Sequence, residues 1–151
     1  MKTRRDFIKK TAAGSAALSL GGLIMPSMGY SNILGANDKI NVAVIGVRSR
    51  AKAHFVAINQ DPNAKVLYSC DVDDKILEEH NVWCKKNIGY IPKVEKDFRK
   101  ILEDKNVDAV FIATPEHWHA PMAIMALQAG KHVYVEKPCS HNPHENELLV
   151  A

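Results

Sequence analysis

The chain has 151 residues, 25% of them charged and 46% hydrophobic, which suits one globular domain rather than two. Its formal charge of +3 sits at the start: residues 1–30 hold Lys2, Arg4, Arg5, Lys9 and Lys10 against Asp6, and the remainder holds 15 basic against 16 acidic side chains. A near-neutral body gives no support for nucleic-acid binding. The three cysteines, Cys70, Cys84 and Cys139, have no metal-ligand spacing and cannot all pair within the chain.

Residues 1–30 read as an address. "TRRDFIKK" is followed by "TAAGSAALSLGGLIM", a basic segment and then a run rich in Ala, Gly and Ser. The run is too short and too mildly apolar for a stable membrane span, so an integral membrane protein is not expected. Thr3-Arg4-Arg5-Asp6-Phe7-Ile8-Lys9 resembles the twin-arginine export signal, with Arg4 and Arg5 as the pair that the translocase reads. That implies the twin-arginine translocase as a partner and the periplasm as the destination, with cleavage as late as residue 36. The alternative is a basic amphipathic helix that stays on the protein.

From Lys39 the pattern alternates strand and helix. Ile40–Ile45 is a short β-branched strand, and a helix over 49–60 carries Ala51, Phe55 and Ile58 on one stripe before Asp61-Pro62-Asn63 stops it. A second strand over 65–70, a helix over 73–86, a short third strand near 92–95 and a helix over 97–104 follow. "VDAVFIA" (107–113) is the fourth strand. A helix over 118–129 is closed by Gly130, where a left-handed residue is needed. His132–Val135 is the fifth strand, and a last helix begins at Asn142. Short apolar strands between helices predict an α/β fold, a doubly wound parallel sheet in the order 3-2-1-4-5. Residues 39–151 are then one domain, with its ligand crevice at the carboxyl ends of strands one and four.

"VAVIGVRSRAKAHF" (42–55) lies at that crevice. Gly46 follows the first strand directly, as in the G-x-G-x-x-G turn that admits a dinucleotide pyrophosphate. The second glycine is replaced by Arg48 and the third by Ala51. Alanine is tolerated at the third position, where close helix–strand packing is the requirement. A guanidinium at the second can contact the pyrophosphate itself, beside the helix amides near Ser49 and Arg50. Asp71 ends the second strand, where a carboxylate takes the adenosine ribose hydroxyls and repels a 2′-phosphate, so NAD is expected over NADP. Asp73 is the second candidate for that role, and an N-cap of the next helix is the alternative for Asp71.

"FIATPEHWHAPMAIMALQAGKHVYVEKPCSHN" (111–142) is more specific. Its succession of strand, Thr-Pro, histidine, helix, Ala-Gly-Lys-His-Val, strand and Glu-Lys-Pro resembles the glucose–fructose oxidoreductase and inositol dehydrogenase family, Gfo/Idh/MocA. The resemblance covers residues 39–151. It implies a Rossmann-type NAD-binding domain, with Thr114 and Pro115 shaping the loop beside the cofactor ribose. Glu116 stands where the family commonly has Asn or Asp. His119 matches the family histidine, Glu136 falls on the nicotinamide ribose side, and Lys137 lies near the nicotinamide and the reacting hydroxyl. Lys137 and His119 are the candidate catalytic residues. A lysine there can stabilise the alkoxide that forms as a hydride leaves the sugar carbon.

No metal is expected: His117 and His119 face different ways at a helix start, with no third ligand. The resemblance also implies a second, substrate-binding α/β domain and a homo-oligomeric full-length form. The chain is expected to be a partial one, ending inside a helix. Three functions follow as expectations. The first is an NAD-dependent oxidoreductase acting on a sugar or polyol. The second is an NAD-dependent glycosidase, of the α-N-acetylgalactosaminidase kind, using transient oxidation at C3. The third, of another class, is a non-catalytic nucleotide-binding module.

Overall fold

In the computed structural model, residues 39–150 are described; the leader segment with Arg4 and Arg5 lies outside them. The elements run β1 (Ile40–Ile45), α1 (Ala51–Gln60), β2 (Ala64–Cys70), α2 (Asp74–Asn87), β3 (Lys93–Glu95), α3 (Phe98–Glu103), β4 (Ala109–Ile112), α4 (His119–Gln128), β5 (His132–Val135) and α5 (Pro143–Val150). The five strands form one sheet in the order β3-β2-β1-β4-β5, and every adjacent pair is parallel.

Alternation along β1 explains why the sheet is covered on both faces. Val42 and Val44 point to one side and pack with Val47, Ala51, Phe55 and Ile58 of the turn and α1, and with Leu77 and Cys84 of α2. Ala43 and Ile45 point to the other and pack with Ile101 and Leu102 of α3 and Met122, Ala123 and Ala126 of α4. A central strand buried on both faces needs a continuous apolar run, which "NVAVIG" provides.

The boundaries differ from the sequence expectation where a side chain competes for the backbone. β4 starts at Ala109 because Val107 closes a turn onto the Asp104 carbonyl, and the Asp108 carboxylate accepts the Asn41 N–H at 2.8 Å. The helix expected from Trp118 is split. Glu116–Trp118 is one 3₁₀ turn, and α4 begins at His119, with Pro121 in its first turn where no intrahelical N–H is needed. α1 begins at Ala51, two residues after the expected Ser49. Gly130 has φ +73° after α4, the left-handed conformation expected of it.

No helix among the described residues is long and apolar enough to cross a membrane.

Candidate functional site

Three strand ends face one another at the carboxyl edge of the sheet. Gly46 follows β1, Ala113-Thr114 follows β4, and Glu136 follows β5. Backbone bonds tie them: Ala113 N–H donates to the Ile45 carbonyl at 2.8 Å, and Glu136 N–H to the Ile112 carbonyl at 2.9 Å.

Gly46 has φ +82°, and a Cβ there would stand 2.8–2.9 Å from the Ala113 carbonyl and the Thr114 nitrogen. Both the conformation and the space therefore demand glycine. The close approach brings the β1 turn onto the β4 turn and leaves the start of α1 facing the crevice.

That helix start has the character of an anion site. Asp73 caps α2 by accepting the Lys75 and Ile76 amides, and Asp97 caps α3 by accepting the Arg99 amide. α1 has Arg50 at its cap position, no side-chain cap and no acidic residue in its first turn. Its leading amides and positive end are left for a ligand anion. Ser49 and Arg50 are exposed beside it. This donor set fits the pyrophosphate of a dinucleotide.

On the β2 side, Asp71 is half-buried and braces the turn: its Oδ2 accepts the Val47 N–H at 3.1 Å and its Oδ1 the Asp73 N–H at 3.2 Å. The N-cap alternative for Asp71 is overturned, because the capping carboxylate of α2 is that of Asp73. Arg48 does not extend alone into the crevice; its guanidinium pairs with Asp73 Oδ2 at 3.4 Å, with the Arg48 side chain 68% exposed. An exposed pair of that length contributes about 0–1 kcal/mol, so it restrains Arg48 only weakly.

On the β5 side, Glu136 is buried, and both of its donors converge on Oε1. The Arg50 Nε–H donates at 2.7 Å and His54 Nε2 lies at 2.6 Å. The Arg50 hydrogen bond, helped by His54 and opposed by desolvation, holds the Glu136 carboxyl below the usual carboxylate range. No donor among the described residues takes Oε2. Arg50 thus spends its side chain on Glu136. Lys137 is exposed at the end of the strand, and the Lys137–Pro138 peptide is cis.

His119 is 2% exposed, with Nδ1 2.6 Å from the Pro138 carbonyl and Nε2 2.8 Å from the Thr114 carbonyl. Both ring nitrogens face backbone carbonyls, so the ring sits between the β4 and β5 loops and turns neither nitrogen toward the crevice. These contacts support a positioning role for His119. The Thr114 hydroxyl lies against Met122 Sδ at 3.9 Å, Pro115 is exposed, and Glu116 pairs with His141 at 3.4 Å rather than facing Glu136.

The sequence reading missed His54. A signal was present: position 54 is three after Ala51 and four before Ile58, on the same buried stripe of α1. A titratable residue on a core face requires a partner. A cavity of about 480 Å³, lined by Lys39, Asn59, Gln60 and Asp61 among others, opens at the amino ends of the strands and holds none of these groups.

Strand order, glycine turn and uncapped helix together define a Rossmann-type dinucleotide-binding domain. Residues 40–151 match the oxidoreductase family with an NAD-binding Rossmann fold, Gfo/Idh/MocA, and the chain belongs to that family. It is 32% identical over 136 residues to a glycosyl hydrolase family 109 protein of Shewanella pealeana, covering 86% of this chain and 27% of that one. Among solved structures it is similar to scyllo-inositol dehydrogenase of Lactobacillus casei with bound NAD(H) and scyllo-inositol (29% identity, TM-score 0.62, 75% of this chain and 33% of that one). It is also similar to the WlbA dehydrogenase of Bordetella pertussis in complex with NADH and UDP-GlcNAcA (28% identity, TM-score 0.65, 74% and 32%). The chain spans about a third or less of the length of these relatives.

Proposed function

We propose that this chain is the cofactor-binding part of an exported oxidoreductase that transfers a hydride between NAD and a hydroxyl-bearing carbon of a sugar or polyol. The observation that carries the reading is the exposed Lys137 ending β5, on the same strand edge as the Gly46 turn and the uncapped start of α1.

The nicotinamide, when bound, supplies the hydride acceptor. The chain's own residues do the rest. The α1 amides and Arg48 hold the pyrophosphate, and Asp71 takes the adenosine ribose hydroxyls while its other contacts keep the glycine turn in place. Thr114 and Pro115 border the path toward β5. Glu136 offers Oε2 toward the second ribose. Lys137 donates a hydrogen bond to the substrate hydroxyl oxygen and stabilises the charge that grows there as the hydroxyl proton passes to a base that the second domain would supply. The second domain implied by the family resemblance, and the homo-oligomer, belong to the same proposal.

The test is a Lys137→Met variant of the full-length protein. It keeps NAD binding, read from Trp83 and Trp118 fluorescence, and loses NADH formation on a panel of sugars and polyols. Undiminished turnover would remove Lys137 from the chemistry.

A second reading is favoured by the glycosyl hydrolase name of the similar Shewanella protein. In it the same residues serve a transient oxidation, and the hydride returns to the sugar before release. Net NADH accumulation with substrate present supports the dehydrogenase, and sugar release without it supports the glycosidase.

The address belongs to the same proposal: Arg4 and Arg5 direct twin-arginine export to the periplasm. Replacing both with lysine is expected to keep a fused reporter in the cytoplasm, and unchanged export would refute the route.

A further inference from the structure

We infer that His54 is a positioning residue for the nicotinamide end of the site, acting through Glu136 on Lys137. The inference deepens the cofactor reading above and rests on it.

A dinucleotide lies across the crevice where the strand order reverses, its two halves over the two halves of the sheet. Asp71 ends β2 and marks one half; Glu136 and Lys137 end β5 on the other. The nicotinamide half is therefore the one beside β5. Lys137 itself is exposed and held by no side-chain partner among the described residues, so something else must fix where it points.

The neighbouring residue is the fixed point. Glu136 is buried, and His54 reaches it from α1 across 82 positions of sequence, at 2.6 Å. The imidazole cannot wander. Its ring stands edge-on to Phe111 of β4 (centroids 5.5 Å apart) and to Tyr134 of β5 (5.2 Å), and those two rings stack on each other at 4.8 Å. Two aromatic rings, from β4 and β5, thus lock the donor that locks Oε1. Arg50 adds a second donor from the first residue of the same helix start, but its side chain is 63% exposed and solvent competes for it. His54 is the buried member of the pair and so sets the carboxylate's place.

A chain of position follows. The aromatic walls fix His54, His54 fixes Glu136, and Glu136 fixes the backbone from which Lys137 projects. Because His54 lies on α1, whose start faces the pyrophosphate, the same helix relates the phosphate turn to the lysine. Removing His54 leaves the phosphate turn intact, since Gly46, Val47 and Asp71 hold it independently.

The test compares NADH with ADP, which carries the adenosine and both phosphates but neither the second ribose nor the nicotinamide. Calorimetric titrations are made on the wild type, His54→Ala and His54→Gln, with folding checked by thermal unfolding. His54→Ala is expected to weaken NADH binding about tenfold, the scale of one hydrogen bond to a charged group, and to leave ADP binding unchanged within about twofold. Glutamine presents an N–H donor near the imidazole Nε2 and is expected to restore most of the NADH affinity. Equal weakening of both ligands would reduce His54 to a general structural role and overturn the inference; so would unchanged NADH binding, or a glutamine variant no better than alanine. Amide hydrogen exchange over residues 136–142 keeps the two readings apart. If the wild type binds neither ligand, the cofactor reading fails. The brace still stands where exchange in that segment speeds up in His54→Ala and slows again in His54→Gln, and falls where it does not change. Should the alanine variant not fold, the glutamine variant and Glu136→Gln carry the same comparison of ligands, with loss expected only in Glu136→Gln.

Discussion

The two halves of the crevice are built on different principles. On the β2 side the acidic groups are satisfied mainly by backbone amides: Asp71 accepts those of Val47 and Asp73, and Asp73 accepts those of Lys75 and Ile76. On the β5 side they are satisfied by side chains far away in sequence, with Glu136 taking Arg50 and His54. His119 reverses the roles, presenting a side chain to two backbone carbonyls. Amide contacts between the β1 turn and the end of β2 make a site that needs only those two strands to pair. Long-range side-chain contacts make a site that exists only once α1, β4 and β5 are all packed.

The sharpest way to break the first half is at its glycine. Gly46→Ala meets both a positive φ and backbone atoms at 2.8–2.9 Å that cannot swing aside. The left-handed conformation costs about 1–2 kcal/mol for an L side chain, and forced overpacking about 1–3 kcal/mol more. A loss of about 3 kcal/mol is expected in urea unfolding, against about 1–2 kcal/mol at Gly130, where a Cβ meets nothing within 4 Å and the conformation alone is strained. A smaller loss at Gly46 than at Gly130 would show that the β4 turn gives way.

The next effect tests the core beneath the same half. His80 of α2 is 2% exposed, stacked near Trp83 and against Phe55, with Nε2 3.1 Å from Cys84 Sγ. Burial first, then the charge of Lys52, push its pKa down to about 4, against a weaker upward pull from Asp71. Burial also pushes the Cys84 thiol up to about 11. The pair is therefore neutral, a packing contact rather than an ion pair. A histidine whose folded pKa is depressed stays uncharged in the native state while the unfolded chain takes up a proton. Its contribution is complete above about pH 6.5 and is lost as the pH falls toward about 4, at roughly 1.4 kcal/mol per pH unit. Stability is expected to fall by about 3 kcal/mol across that window, and His80→Phe to flatten the fall. An unchanged slope in the variant would assign the acid sensitivity to other groups.

How much of this was legible in the sequence follows the same division. Strand order, the Gly46 turn and Asp71 at the end of β2 were readable because period, glycine and spacing are local signals. The cap of α2 was not readable at the right residue: the sequence offered Asp71 as a cap and Asp73 only as a second ribose candidate, and the geometry gives the cap to Asp73. The brace on Glu136 was not readable as a pair, because 82 residues separate its members and nothing local links them. His119 was legible as a site residue by motif, but not as a ring set between two loops. That its ring nitrogens meet the Thr114 and Pro138 carbonyls depends on how the β4 and β5 loops approach each other.

Cofactor choice sharpens the comparison at Asp71. Asp71→Ala removes the proposed ribose acceptor and also orphans the Val47 N–H at the turn. NAD binding is expected to weaken by about 1–3 kcal/mol and the preference over NADP to narrow. Asp71→Asn keeps an acceptor for Val47 without the charge, so calorimetry on both variants separates the two roles. If asparagine binds NAD like the wild type and still rejects NADP, the carboxylate's charge is not what discriminates.

The smallest effect expected is at Arg48, and its sign matters more than its size. The guanidinium is mostly solvated and pairs with Asp73 at 3.4 Å, so Arg48→Gly is expected to change stability by less than about 0.5 kcal/mol. The bond to Asp73 is weak enough for a pyrophosphate, with more charge and better-shaped acceptors, to take the side chain away. Water reaches it there too, which holds the gain to about 1 kcal/mol of NAD affinity, roughly fivefold. Arg48→Gly is therefore expected to bind NAD about fivefold more weakly and to lose part of the salt dependence of binding, because screening acts on exposed charges first. The glycine also restores the usual fingerprint and opens the backbone to the ligand. If Arg48 obstructs rather than assists, the same variant binds more tightly at both salt concentrations. Asp73→Ala sets the remaining sign: freeing Arg48 from its partner is expected to strengthen NAD binding slightly, and weaker binding would place Asp73 itself on the adenosine ribose.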